Sequence, residues 1–278
     1  MSAPEALVSP LLLGCDFSSR PTRRKPIVLA LGRLQRQQVQ VLRFEYLNTL
    51  EEFADWLALP GHWLGAFDFP FGLPRELVET LDWPTSWAAC MAHYAGLSRA
   101  SIREHFAAFC NARPKGAKFA HRATDLPARS SPSMKWVNPP VAYMLHAGVP
   151  LLIQAGVHLP GLHPGDPARV ALEGYPGLLA REVLGARSYK SDQRDQQTPQ
   201  RLIARKDLVT ALEQGRHRLG LRLRLSPAMH DGLVDDAKGD SLDAVLCLVQ
   251  AAWASQQGEP RYGLPDQFDP LEGWIVTA

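Results

Sequence analysis

Two aspartates stand directly after short apolar runs, where a strand would normally carry hydrophobic side chains. Asp16 follows Leu-Leu-Leu-Gly-Cys, and Asp68 follows Leu-Gly-Ala-Phe. Unbroken apolar runs of this length are typical of central strands that are buried on both faces. Aspartate is depleted in strands and is rarely buried unless it is paired or binds a metal. The fold must therefore supply a charge partner at the ends of two buried strands.

Size and composition favour a packed α/β protein. The chain has 278 residues, of which 46% are hydrophobic and 21% charged, which suits one large domain with insertions. No apolar run reaches the roughly 20 residues of a membrane span, and residues 1–10 lack the basic flank of a signal peptide. The four cysteines are far apart and lack CxxC spacing, which favours reduced thiols over a zinc site. We therefore expect a cytoplasmic protein that does not enter a membrane.

The order of the apolar patterns predicts a mixed sheet. An antiparallel meander followed by crossover-linked strands gives a mixed five-stranded sheet flanked by helices, which is the ribonuclease H-like topology. We expect a single domain over residues 1–278, with a helical insertion at 75–160 after the fourth strand. Strands are predicted at Leu11–Phe17, Ile27–Leu31, Val39–Tyr46, Trp63–Phe69 and Val170–Glu173, and helices after Thr49 and near Thr85–Tyr94, Ser101–Cys110, Pro140–Ala155, Pro176–Leu184, Pro199–Gln214 and Asp240–Gln256.

Three further carboxylates stand where they can join Asp16 and Asp68. Glu173 ends another buried strand, and Asp240 and Asp243 share one face at the start of the last helix. Each acid also has a structural explanation: turn formation for the first two, the helix dipole for Glu173, and helix capping for the last pair. Taken together, the five acids predict a site for hard divalent cations such as Mg²⁺ or Mn²⁺, which take oxygen ligands.

Five short motifs follow one another along the chain. They are Gly14-x-Asp16, Asp68-x-Pro70-x-Gly72-x-Pro74, Glu173-x-Tyr175-Pro176, Tyr189-Lys190 and Asp240-x-x-Asp243-Ala244. In this order, over essentially the whole chain, they resemble domain-of-unknown-function family 429, whose members are regarded as predicted nucleases of the ribonuclease H-like superfamily. The D-x-P-x-G-x-P and E-x-Y-P elements are the specific part of the resemblance.

The resemblance implies roles for individual residues. The superfamily's first-strand, fourth-strand and final-helix acids correspond to Asp16, Asp68 and the Asp240/Asp243 pair. Glu173 would be a ligand or a group behind the ligands, and Arg122-x-x-Asp125 resembles a further polar motif in the insertion. The chain departs from the family's pattern after Asp16, where Ser18-Ser19 and the basic Arg23-Arg24-Lys25 stand in place of small or glycine residues.

The distribution of basic residues along the chain indicates a polyanionic binding partner. Residues 20–25 hold four basic residues and no acid, residues 98–122 hold six against one, and residues 199–224 hold seven against two. Basic patches around an acidic cluster suit an enzyme that holds a polyanion over bound cations. We expect a magnesium- or manganese-dependent phosphodiesterase that cuts nucleic acid through a two-metal carboxylate site, with Lys190 neutralising a phosphate or orienting a water. The expected catalytic residues are Asp16, Asp68, Glu173, Asp240, Asp243 and Lys190, and the expected metal ligands are Asp16, Asp68, Asp240 and Asp243.

Two other classes remain open. A phosphotransferase or ATPase of the actin-like branch would share the fold, but its glycine-rich phosphate hairpin has no counterpart between Asp16 and Pro26, where no glycine occurs. A non-catalytic module that binds nucleic acid or protein, with a vestigial site, would also share the fold, because fold does not determine function.

Overall fold

The computed structural model describes residues 10–278, and within them seven strands and ten α-helices. The expectation about a signal peptide falls on a segment that lies, but for Pro10, outside the described residues. The strands are β1 (Leu11–Asp16), β2 (Ile27–Gln35), β3 (Gln38–Leu47), β4 (Trp63–Phe67), β5 (Val157–His158), β6 (Asp166–Glu173) and β7 (Arg222–Arg224). The helices are α1 (Leu50–Ala58), α2 (Arg75–Thr80), α3 (Trp87–Gly96), α4 (Arg99–Asn111), α5 (Asp125–Ala128), α6 (Val141–Gln154), α7 (Pro176–Leu184), α8 (Pro199–Gln214), α9 (Pro227–Asp235) and α10 (Asp240–Gln257).

All seven strands join in one mixed sheet, in the order β5-β6-β4-β1-β2-β3-β7. Strand β2 is antiparallel to both β1 and β3, whereas β1, β4 and β6 run parallel to one another. The predicted α/β class with a mixed sheet is confirmed. The predicted number of five strands is too low, because the edge strands β5 and β7 have only two and three residues and are too short to produce a periodic pattern.

Apolar layers cover both faces of the sheet, which explains why the central strands are apolar without interruption. Along β1, Leu12 joins a cluster that includes side chains of α7 to α10, whereas Leu13 and Cys15 join a second cluster with side chains of α1 to α4 and α6. Successive side chains of a strand point to opposite faces, so a strand covered on both sides needs apolar residues at every position.

The longest helix, α10, lies directly across β1. Gly14 makes this close approach possible, since a Cβ atom at this position would lie 2.0 Å from the carbonyl oxygen of Ala244 and 2.2 Å from the backbone nitrogen of Leu248. Because β1 ends two residues later at Asp16, the same contact brings the start of α10 to the end of the strand.

Helices α2 to α6 occupy residues 75–154, between strands β4 and β5 in the chain. This is the region for which the sequence predicts a helical insertion. That residues 1–278 form a single domain remains a prediction. None of the helices within residues 10–278 combines the length and the apolar character that crossing a membrane requires.

Candidate metal centre

Three aspartates from separate elements converge at one end of the sheet. Asp16 ends β1, Asp68 directly follows β4, and Asp243 lies in the first turn of α10; each offers a carboxylate oxygen within 4.8 Å of the other two. Strands β1 and β4 are parallel neighbours, and the backbone N–H of Asp68 donates to the carbonyl of Cys15 at 2.9 Å. The pairing of the two strands therefore fixes the first two carboxylates side by side.

Helix α10 presents the third carboxylate, that of Asp243, which is fully buried. The helix begins after Gly239, whose positive φ of 75° favours glycine. The side chain that caps this turn belongs to Asp236, which accepts from the backbone N–H of Gly239 at 3.2 Å and of Ser241 at 3.0 Å. Asp240, which the sequence pattern offers as the cap, is instead the first helical residue.

Lys190 and Tyr189 contact the third carboxylate. The Lys190 ammonium donates to Oδ2 of Asp243, and the Tyr189 hydroxyl donates to Oδ1 at 2.5 Å. This segment is held in place by Arg205, which donates to the carbonyl of Tyr189 at 2.8 Å and to that of Val234 at 2.6 Å. A cationic side chain thus contacts the cluster at the position where the sequence places a candidate catalytic lysine.

Burial and neighbouring charges oppose the ionisation of Asp16 and Asp68. Burial raises the pKa of Asp68 to about 7, with a further contribution from the charge of Asp243 and a partial offset by Lys190. The pKa of Asp16 is raised well above its usual value by burial first, and then by Asp243, Asp240 and Asp68. One ammonium group cannot balance three carboxylates, so the cluster either keeps a proton or needs a further cation.

The basicity of Lys190 follows from the same cluster. Burial by itself lowers the pKa of this ammonium, but the carboxylate of Asp243, together with Tyr189 and Asp16, more than offsets that effect and raises the pKa well above its usual value. Lys190 therefore remains protonated in the pH range of the cell.

Asp240 is not brought into this group. Among the described residues, the acids that come close enough to share one ion are Asp16, Asp68 and Asp243. Asp240 nevertheless lies near enough for its charge to contribute to the raised pKa of Asp16. Burial raises the pKa of Asp240 to about 6, while Lys25 lowers it. Asp243 is the member of the pair that lies beside Asp16 and Asp68, and the role of Asp240 as a ligand stays a prediction.

Glu173 is bound by other protein groups. Its carboxylate, 3% exposed, accepts from both terminal nitrogens of Arg122 at 2.7 and 2.8 Å and from the backbone N–H of Phe71 at 2.9 Å. Arg122 also donates to Asp125 at 2.9 Å. Through the N–H of Phe71, Glu173 anchors the loop that follows Asp68.

Sequence analysis missed Glu272, a further acid of this buried network. Its carboxylate accepts from the backbone N–H groups of Arg75 and Ala123 at 2.9 and 2.8 Å, and its carbonyl accepts from Arg122 at 3.0 Å. The bonds join the start and the middle of the insertion to a segment 149 to 197 residues away, and no local sequence pattern around Glu272 predicts them.

Comparisons of the chain with protein-family models, with curated proteins and with solved structures give no match. The resemblance to family 429 stays a prediction.

Proposed function

We propose that this protein is a divalent-cation-dependent nuclease, a phosphodiesterase that acts on nucleic acid, with a ribonuclease H-like fold and a family 429 relationship. The observation that carries the proposal is the convergence of Asp16, Asp68 and Asp243 from two strands and a helix. We place the protein in the cytoplasm because all four cysteines are buried and free, as expected for a reducing compartment.

The sheet supports the fold part of the proposal. Its five longer strands lie in the order β6-β4-β1-β2-β3. Strand β2 runs in the direction opposite to the other four. This arrangement is an antiparallel meander extended by two parallel crossover strands, as the sequence pattern predicts for a ribonuclease H-like sheet. The three acids stand at the end of its central strands.

The donor set fits a hard cation. Asp16, Asp68 and Asp243 offer only carboxylate oxygens, which Mg²⁺ and Mn²⁺ prefer, and binding would relieve the repulsion that raises the pKa values of the first two. Such an ion, when bound, supplies Lewis-acid polarisation of a phosphoryl oxygen and acidifies a water. A second ion would need a further carboxylate ligand, that of Asp240. The charge of Asp240 already contributes to the raised pKa of Asp16.

The residues of the chain supply positioning and charge. The three aspartates would hold the cation, and Glu173 fixes the loop after Asp68 through the backbone N–H of Phe71. Lys190 extends from the cluster to the adjoining cleft and can neutralise a phosphate oxygen of the substrate there.

A pair of guanidinium groups beyond the end of β1 supports a polyanionic substrate. Arg99 donates to the carbonyl of Ser19 at 2.8 Å, and burial and the nearby charge of Arg20 lower its pKa. Among residues 10–278 neither arginine has a carboxylate partner within salt-bridge distance. Two cations without acidic partners suit binding of the phosphate backbone, which would make affinity fall with added salt.

A cleavage screen tests the proposal. Single- and double-stranded DNA, RNA and hybrids are incubated with Mg²⁺ or Mn²⁺ and with wild type, Asp68→Asn or the matched control Asp55→Asn, an exposed acid of α1. We expect wild type to cleave at least one substrate. The cleavage rate should fall by more than about 100-fold in Asp68→Asn and should be unchanged in Asp55→Asn. Equal cleavage by wild type and Asp68→Asn would reject the mechanism.

One observation favours a second candidate, a non-catalytic nucleic-acid- or protein-binding module. The contact between Lys190 and Asp243 neutralises the most buried carboxylate of the cluster without an ion. A vestigial site would keep this contact and would bind no divalent cation, so a direct measurement of Mn²⁺ binding separates the two candidates. The actin-like alternative finds no support in the loop from β1 to β2, which has no glycine.

A further inference from the structure

A cleft of about 450 Å³ opens beside the three aspartates. Asp68 and Lys190 lie at its end nearest the cluster, and the buried Arg122 and Glu173 form part of its floor. Residues of helix α7 and of the turn before it line the cleft, together with residues of the insertion. The volume falls within the range of about 300–1,000 Å³ that is typical of small-ligand sites.

The lining combines flat apolar surface with a few polar groups. The side chains of Pro70, Val141 and Met144 contribute apolar surface, Tyr175 contributes an aromatic ring, and Ser130 contributes a hydroxyl. A long groove for duplex backbone would instead be lined by cations throughout. The mixed lining suits a flat heterocycle attached to a sugar.

Arg181 supplies the charge expected beside a phosphate. Its guanidinium donates to the carbonyl of Ala128 at 3.1 Å and to the hydroxyl of Tyr175 at 3.3 Å, both neutral acceptors. Within the described part of the chain it has no carboxylate partner at salt-bridge distance. Three other cationic side chains line the cleft, and each contacts a carboxylate: Arg122 that of Glu173, Arg187 that of Asp207 and Lys190 that of Asp243.

We infer that this cleft holds one nucleoside of the strand being cut, next to the scissile phosphate, and that the substrates are single strands or unpaired ends. The inference rests on the proposed function and names the substrate class of the same site. A base inside a duplex is stacked and paired, and a few kcal/mol are needed to extrude it. A single-stranded base enters without that cost and can pack against Tyr175 and the apolar wall.

Binding of mononucleotides tests the cleft without any need for cleavage. Titration calorimetry compares the four nucleoside 5′-monophosphates with ribose 5-phosphate and inorganic phosphate, in buffer with Mg²⁺ and in buffer with EDTA. At least one nucleotide should bind about tenfold more tightly than ribose 5-phosphate in the same buffer, because a stacked base contributes that much or more. Equal affinity for ribose 5-phosphate and all four nucleotides would overturn the inference.

Two variants and a control locate the binding. Val141→Trp, at a partly exposed position of the cleft wall, should fill the cleft and remove the preference for nucleotides, and Arg181→Gln should weaken nucleotide binding about tenfold. Arg33→Gln, an exposed position on β2 at the sheet end opposite Asp16, should leave it unchanged. Unchanged binding in folded Val141→Trp and Arg181→Gln would place the nucleotide elsewhere and overturn the inference.

The cleavage reaction separates this inference from the proposed function. A single-stranded oligonucleotide should be cut about tenfold or more faster than the blunt duplex of the same sequence, and Val141→Trp should slow the first reaction. Cleavage that requires Asp68 but proceeds equally on both substrates would support the proposed nuclease activity and overturn the assignment of the cleft. Nucleotide binding without any cation-dependent cleavage would support the cleft and reject the nuclease.

Discussion

Both terminal nitrogens of Arg122 bind the carboxylate of Glu173, and neither side chain is more than 3% exposed. The buried acids of the protein differ in whether a neighbouring side chain neutralises their charge. Glu173 is neutralised by another side chain, whereas Asp16 and Asp68 share a pocket in which Lys190 is the neighbouring cation. The first kind stabilises the loops around the site, and the second kind is suited to binding an ion.

Replacing Arg122 by Met should destabilise the protein strongly. The substitution leaves Glu173 and Asp125 buried without their cation, and loss of one partner of a buried pair costs about 3–5 kcal/mol. The free energy of unfolding, measured with urea, should fall by about that amount. A double variant that also carries Glu173→Met should recover part of the loss; no recovery would mean that the pair is not the cause.

Gly14→Ala should displace α10 and weaken the metal site at the same time. The added methyl group meets backbone atoms of Ala244 and Leu248, which cannot move independently of the helix. We expect a loss of about 1–3 kcal/mol in stability and weaker Mn²⁺ binding. The control is Gly232→Ala in α9, where a Cβ meets nothing within 4 Å; it should stabilise the protein by about 0.5–1 kcal/mol. Equal effects of both substitutions would contradict the packing argument.

Lys190→Met should tighten cation binding while it weakens the ion-free protein. Its ammonium occupies the same carboxylate that a cation would use, so its removal should strengthen Mn²⁺ binding by about tenfold. Because Asp243 is fully buried and loses a charged partner, the ion-free protein should lose about 1–3 kcal/mol of stability. Lys135→Met serves as the control, since that lysine has no side-chain bond within the described residues. Unchanged Mn²⁺ affinity in Lys190→Met would show that the two cations do not compete.

The ion-free protein should lose stability as the pH rises. The pKa of Asp68 is about 7 in the folded protein and near 3.8 for an unperturbed side chain, so the folded state holds its proton more firmly between those values. The free energy of unfolding therefore falls as the pH rises through the interval from about 4 to 7. In EDTA, urea unfolding should show a smaller decline for Asp68→Asn than for wild type. Identical slopes would contradict the raised pKa.

Much of the fold could be predicted because its longer elements carry two independent signals. Helices α7 and α8 have both an apolar stripe and a proline at the first position, and their predicted bounds coincide with the observed ones. The short strands β5 and β7 have neither signal. Helix α9 could have been found, since Ser226-Pro227 is a start signal and the Ser226 hydroxyl accepts from the N–H of Met229.

The site could be predicted less completely, because partners distant in sequence decide which acids meet. The apolar runs before Asp16 and Asp68 identify both acids, and strand pairing places them together. Nothing near Glu173 reveals that Arg122, 51 residues away, neutralises it. The side-chain direction of Asp240 depends on how α10 is rotated against the sheet, which packing around Gly14 determines.

The most direct test of the account is a Mn²⁺ titration followed by electron paramagnetic resonance, which measures free ion in the presence of the protein. Wild type should bind Mn²⁺ stoichiometrically, and Asp16→Asn, Asp68→Asn and Asp243→Asn should each weaken binding by more than about tenfold. Glu173→Gln should change the affinity far less, because its carboxylate is committed to Arg122. Absence of binding to wild type, or affinity unaltered by all three aspartate substitutions, would contradict the account.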